Sequence, residues 1–359
     1  MKTLIKYEIK NIFMYVVVMG LLTLVPTYWR FNLRNIGMYF SQFSYAYIMP
    51  IELNFMIAIM VFGLVALQFK DIKGNNTSGI LRVLPITQAN LIKLKIGVGV
   101  MSITIVNFIN FLYIAAFRIR YSDFIEIVNT SFATKEYVAG LNSWLTILGL
   151  MVCFNLVYIL FYLYLIIFQY IIKNSVVATS VGVIMLGVPA YLITGLSCTL
   201  AILGNNIVMF NQANGIVHNI IRSNQANSII MYYLTLKPWI PTQFRDREWT
   251  YYWVTTDMHI VTQPDTNIWG HLLVIVATLI FLGCVINYVQ NKYGMNTEGE
   301  QFVNKAFKVL FLLGVVVCGF LIGPILSGVS GIYSGVVSGA IGLVCALFMY
   351  VFCKKFIVD

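Results

Sequence analysis

The sequence predicts an all-α integral membrane protein with about eight transmembrane helices, and three observations carry that prediction. The 359-residue chain is 60% hydrophobic and 10% charged, against about 25% charged for an ordinary soluble domain, and its mean hydropathy is +0.84. Apolar runs recur through it at 14–28, 51–69, 96–117, 144–172, 176–203, 268–288, 309–326 and 333–352. Most approach the roughly 20 residues that cross about 30 Å of hydrocarbon. Third, the basic residues gather in alternate intervals between runs, as they do in the inner loops of membrane proteins. The net charge of +10 therefore reads as an orientation signal and not as affinity for nucleic acid.

Residues 1–13 precede the first run as an amphipathic segment. Ile5, Ile9 and Ile12 share one face at helical spacing, and Lys2, Lys6 and Lys10 flank it. Such lysines lay their stems on apolar surface and place their ammonium groups among lipid phosphates. We read an interfacial helix here, with a charged start to the first span as the other reading. Glu8 interrupts the positive stretch and no small-x-small site follows Val25, which argues against a cleaved signal. The intervening stretch 14–203 then holds the first five spans, with the polar loop 70–95 between the second and third.

That loop is the most informative stretch. A Gly/Asn/Ser turn leads to Arg82, Leu84, Pro85 and Ile86, and Thr87 is placed to cap a short helix containing Gln88 and Asn90. Proline stops the preceding segment, and a threonine hydroxyl accepts from a free amide of the first helical turn. The expectation is a short helix along the inner membrane surface, shaped to receive a push from a soluble partner.

The intervals 29–50 and 118–142 are expected outside, as is the long segment 204–267. The last carries Trp239, Trp249, Tyr251, Tyr252 and Trp253 around Arg245 to Glu248, which suits an aromatic belt at headgroup depth or a surface meeting a substrate or partner. Residues 268–359 supply the last three spans. In the eighth, Ser327, Gly331, Gly335 and Gly339 recur every four residues beside a second row of Ser330, Ser334, Ser338 and Gly342. A ribbon without side-chain bulk admits another helix closely, from the same chain or a second copy. Eight spans put both termini on one side. With the N terminus inside, 14 of the 23 basic residues face inward, so both termini are expected to be cytoplasmic in a plasma membrane.

Chemical motifs are sparse. Gly74 and Gly79 have phosphate-loop spacing, but Ile80 and Leu81 stand where a lysine and a hydroxyl are required, so no ATP site is expected there. His218, His259 and His271 lie far apart, and no metal ligand set, catalytic residue or cofactor motif is expected. The six cysteines sit in or beside apolar runs and read as small hydrophobes. No run has an acid or base near its centre, where ion-coupled carriers usually bind the coupling ion.

The amphipathic start, the uncharged runs, and Leu84-Pro85-Ile86-Thr87 followed by Asn90-Leu91-Ile92-Lys93-Leu94-Lys95 resemble the permease subunits of type 2 ABC transporters. In that family the first inner loop commonly reads Leu-Pro-Val/Ile-Ser/Thr, then a short polar helix that docks on a separate ATPase subunit. The family commonly has six spans; here eight runs are present. The resemblance implies a non-catalytic membrane subunit of an ATP-driven exporter of a lipophilic or amphipathic peptide, antibiotic or lipid-like molecule. It implies an ATPase subunit and a second identical or related permease as partners, besides membrane lipid. Arg82, Leu84, Pro85, Ile86, Thr87, Gln88 and Asn90 would form the ATPase-coupling surface, and Gly331, Gly335 and Gly339 the helix-packing row. Two other classes remain: an importer or ion-coupled secondary transporter, and a non-transporting membrane sensor or scaffold binding a peptide through 204–267.

Overall fold

Long apolar runs have one way to satisfy every backbone N–H and C=O away from water, and that is the helix. The computed structural model follows this rule. It describes residues 2–30, 53–73, 87–123, 126, 143–203, 268–294, 301–330 and 334–355. Its long helices are α1 (Lys2–Arg30), α2 (Leu53–Lys73), α3 (Gln88–Arg120), α4 (Trp144–Ile171), α5 (Ser175–Leu203), α6 (Ile268–Tyr293), α7 (Lys305–Ser330) and α8 (Gly335–Cys353). Each contains or closely overlaps one of the apolar runs. Among the described residues the one β feature is an isolated antiparallel bridge between Ile172 and Phe302.

Six of these helices are long and apolar enough to cross a membrane, and seven if the two halves of α5 count as one span. Those halves bend by 41° between Pro189 and Tyr191, as expected where proline removes a helical donor and its ring crowds the preceding turn. The eighth helix, α2, falls outside that set, and its C-terminal turn carries Lys70, Asp71 and Lys73. The described chain thus has the character of a multi-pass, all-α membrane protein, with six or seven such helices where eight spans were expected.

Two expected short helices do not stand alone. The segment 1–13 continues without a break into the first run, so that α1 is a single helix from Lys2 to Arg30. Of the isoleucine face only Ile12 is buried, together with Glu8, whereas Ile5 and Ile9 are exposed. The helix capped by Thr87 likewise continues as α3 through 33 residues to Arg120. Lysine, glutamine and glutamate have good helix propensity, so a change in hydropathy need not end a helix.

The chain divides into two compact units, one made of Met1–Gln68, Ile86–Leu163 and Tyr233–Val285, the other of Phe69–Pro85, Tyr164–Tyr232 and Ile286–Asp359. In the first, α1 packs on α3, and the interior is filled by Ile57, Met60, Val61 and Leu64 of α2, Ile103, Val106 and Ile114 of α3, and Tyr158 and Phe161 of α4. Polar side chains tie these helices together. The Tyr15 hydroxyl donates to the Met60 carbonyl at 2.9 Å. Asn110 Nδ2 donates to Thr23 Oγ1 at 2.8 Å, and Asn107 Nδ2 to the Met151 carbonyl at 3.2 Å. Such bonds hold helices in register where no hydrophobic force favours helix over lipid.

In the second unit, the turn after α4 pairs with the strand-like stretch before α7. Lys173 N donates to Gln301 O at 2.8 Å and Val303 N to Ile171 O at 3.0 Å. Around this bridge Ile172, Ala178, Val181 and Phe302 form a buried cluster. Asn174 and Asn304 cap the helices that follow, their Oδ1 atoms accepting from Val176 N and Ala306 N, each at 3.0 Å. The α7–α8 pairing is the most extensive of the helix contacts, followed by α7 with α5. Large apolar side chains elsewhere, among them Leu145, Leu273, Phe281, Leu310 and Phe348, are exposed, which suits surfaces that face lipid.

Candidate functional site

The segment singled out by sequence is described at both edges. At its start, Lys73 closes α2. Residues 74–86, and with them Arg82, Leu84, Pro85 and Ile86, lie outside the described residues. At its end, Thr87 has extended backbone (φ −65°, ψ 142°) and its hydroxyl accepts from Asn90 N at 3.4 Å. Thr87 therefore caps α3, as its position after Pro85 predicts. Gln88, Asn90 and Lys93 are exposed, whereas Leu91, Ile92 and Leu94 are buried. The first turns of α3 thus present a polar face outward and are anchored by an apolar one.

Lys95, the last residue of the motif, points the other way. Its side chain is 1% exposed and its Nζ donates to Glu8 Oε2 at 2.6 Å, with the glutamate side chain 3% exposed. The Lys95 backbone carbonyl also accepts from Gln68 Nε2 at 3.2 Å and lies 3.3 Å from the Tyr162 hydroxyl, which donates to Gln68 Oε1 at 2.7 Å. One residue of α3 is thereby bonded to α1 through its side chain and to Gln68 of α2 through its carbonyl, with Tyr162 of α4 joined to the same node through Gln68. Gly99, one turn on, makes room: a Cβ there would collide with the Tyr162 hydroxyl. Neither Glu8 nor its pairing was marked as functional by sequence. The signal was one acid on the face shared with Ile12, in a segment otherwise basic.

Lys73 forms a second buried polar node. Its Nζ donates to Gln169 Oε1 at 2.9 Å and to the Ile172 carbonyl at 2.6 Å. Gln169 Nε2 donates in turn to Thr179 Oγ1 at 2.8 Å and to the Ser175 carbonyl at 3.1 Å. Both named partners of the amine are neutral. Burial accordingly lowers the ammonium from its ordinary 10.5 to about 7. Sequence reading missed Gln169; its signal was an isolated amide late in an apolar run.

Of the small-residue row, Gly331 lies outside the described residues. A Cβ at Gly335 would make ordinary contact with Ile202 Cγ2 at 3.6 Å, and one at Gly339 would meet nothing within 4 Å. The close approach falls on the neighbouring row. A Cβ at Gly342 would strike the Phe320 carbonyl, and one at Gly323 the Ser338 carbonyl and Gly342 backbone.

All six cysteines are free. Among the described residues no three His, Cys, Asp or Glu side chains are grouped to hold a metal ion. Compared with family models, curated proteins and solved structures, the chain matches none of them.

Proposed function

We propose that this chain is the membrane-spanning permease subunit of an ATP-driven ABC exporter, with ATP hydrolysis on a separate subunit. In this reading two permease copies, identical or related, line the path of a lipophilic or amphipathic cargo, and α2 completes an eight-span topology with both termini in the cytoplasm. The observation that carries the reading is the start of α3. The Leu84-Pro85-Ile86-Thr87 sequence leads straight into a capped helix whose exposed Gln88 and Asn90 are available to a partner. That helix runs on for 33 residues as one element. A force applied at its first turn therefore acts on a rigid rod about 50 Å long. Leu84 and Ile86 would plug a groove of the ATPase, with Arg82, Thr87, Gln88 and Asn90 around them.

The test is co-purification of the ATPase with the double variant Leu84→Ala/Ile86→Ala. Truncating buried apolar anchors at an interface often costs about 2 kcal/mol, roughly a thirtyfold loss of affinity. The variant should reach the membrane at wild-type level and lose the ATPase on washing, while Gln225→Ala in the long outer segment should retain it. Full retention by the double variant would remove the coupling role.

A further inference from the structure

We propose that the buried Glu8–Lys95 ion pair is a positioning link that carries movement of the start of α3 into α1. The inference rests on the function proposed above and deepens it, because it names the route by which a displacement at Gln88 and Asn90 would reach the rest of the first unit.

Three observations support it. The first is placement. Lys95 lies two turns beyond the Thr87 cap, about 12 Å along the helix, on the same unbroken element as the exposed face. The second is connectivity. Lys95 is bonded to α1 by its ammonium and to Gln68 of α2 by its carbonyl, and Gln68 accepts from Tyr162 of α4, so a shift of the start of α3 strains a directional bond to α1 and to α2. The charge-assisted bond at 2.6 Å ties α1 to α3 close to the exposed first turns, whereas the Asn110–Thr23 bond between the same helices lies about four turns farther along α3. The third is energetic. Glu8 Oε1 is buried with no hydrogen-bond partner, and the ammonium has Glu8 as its named side-chain partner. A buried pair with acceptor capacity unused is a poor stabiliser, and well-packed neutral residues of similar size often do as well or better. Stability therefore does not account for the pair, whereas a charged tether between α1 and α3 does.

The same energetic argument supplies the test. In Glu8→Gln/Lys95→Met both charges are removed together, leaving no buried ion alone. The ATPase–permease complex would be reconstituted in lipid nanodiscs, with one spin label at Lys93→Cys on α3 or at Thr3→Cys on α1, both exposed positions. Spectra would be compared before and after MgATP with vanadate. We expect the complex with the native pair to change at both positions. The neutral pair should keep the change at 93 and lose it at 3. A neutral pair that still changes at 3, or a native complex that changes at 93 but not at 3, overturns the link and leaves the proposed function standing. Failure of the neutral pair to accumulate would assign Glu8 and Lys95 to folding and likewise overturn the link. A native complex unchanged at 93, or no ATPase bound at all, sinks the proposed function and the link with it.

Discussion

Lys73 carries an ammonium into surroundings where its named partners, Gln169 Oε1 and the Ile172 carbonyl, are neutral. Both bonds survive deprotonation, because a neutral amine still has two N–H groups to donate. What burial opposes is the charge, and it lowers the group to about 7 from 10.5. Between those two values the unfolded chain binds the proton more readily than the folded one, so folded stability rises with pH across that window. Below it the penalty is fully present; above it the penalty is gone. Lys73→Met removes the titration along with both bonds. We therefore expect the wild type to gain thermal stability relative to Lys73→Met as pH is raised from about 7 to about 10, measured as melting temperature in detergent at matched ionic strength. A difference in melting temperature that stays constant over that range would show that Lys73 is not titrating there. The Glu8–Lys95 pair makes a contrasting case: the two charges neutralise one another, and its meaning lies in what it connects.

At the scale of elements, the helices were legible in sequence because hydropathy over about 20 residues reports a physical requirement, the thickness of hydrocarbon. Helix ends were less legible. Hydropathy marks where the surroundings change, whereas the helix persists until a cap or a breaker, so α1 and α3 include polar turns that had read as separate short helices. Thr87 was legible because capping is local chemistry at a fixed offset from Pro85. The Glu8–Lys95 contact spans 87 positions and has no local signature. The glycine rows show the same limit. Their spacing announced close packing, but which row meets a neighbour depends on how α8 is rotated about its axis, and the structure turns Ser338 and Gly342 toward α7. Gly323→Ala and Gly342→Ala would each press a methyl group into the backbone of the facing helix. Overpacking of this kind typically destabilises by about 1–3 kcal/mol. Gly339→Ala enters open space and gains up to about 1 kcal/mol of helix propensity. Melting temperatures of the purified variants should therefore fall for positions 323 and 342 and hold or rise for 339. A fall at 339 equal to that at 342 would contradict the α7–α8 contact.

At the scale of the whole molecule, the question is whether α2 crosses the membrane, because that one helix decides the parity of everything after it. Its apolar part buries Ile57, Met60, Val61, Leu64 and Val65 in the first unit, while its last turn holds Lys70, Asp71 and Lys73. With α2 crossing, 14 of the 23 basic residues lie on the side of the N terminus. Without it, the alternation reverses beyond the first span and the basic residues divide 13 to 10 with the excess on the side opposite the N terminus, a similar asymmetry with the orientation reversed. In the proposed eight-span topology α2 crosses, and Asn296 lies on the same side as the N terminus with Asn214 opposite. Single cysteines at Thr3, Asn214 and Asn296, in a background with the six native cysteines replaced, distinguish the cases. An impermeant maleimide applied to intact cells should label 214 alone, with 3 and 296 labelled once the cells are opened. If α2 does not cross and the N terminus is inside, 296 is labelled in intact cells and 214 is protected. That result would place the 70–95 segment on the face away from ATP, and an ATPase could not then reach Gln88 and Asn90.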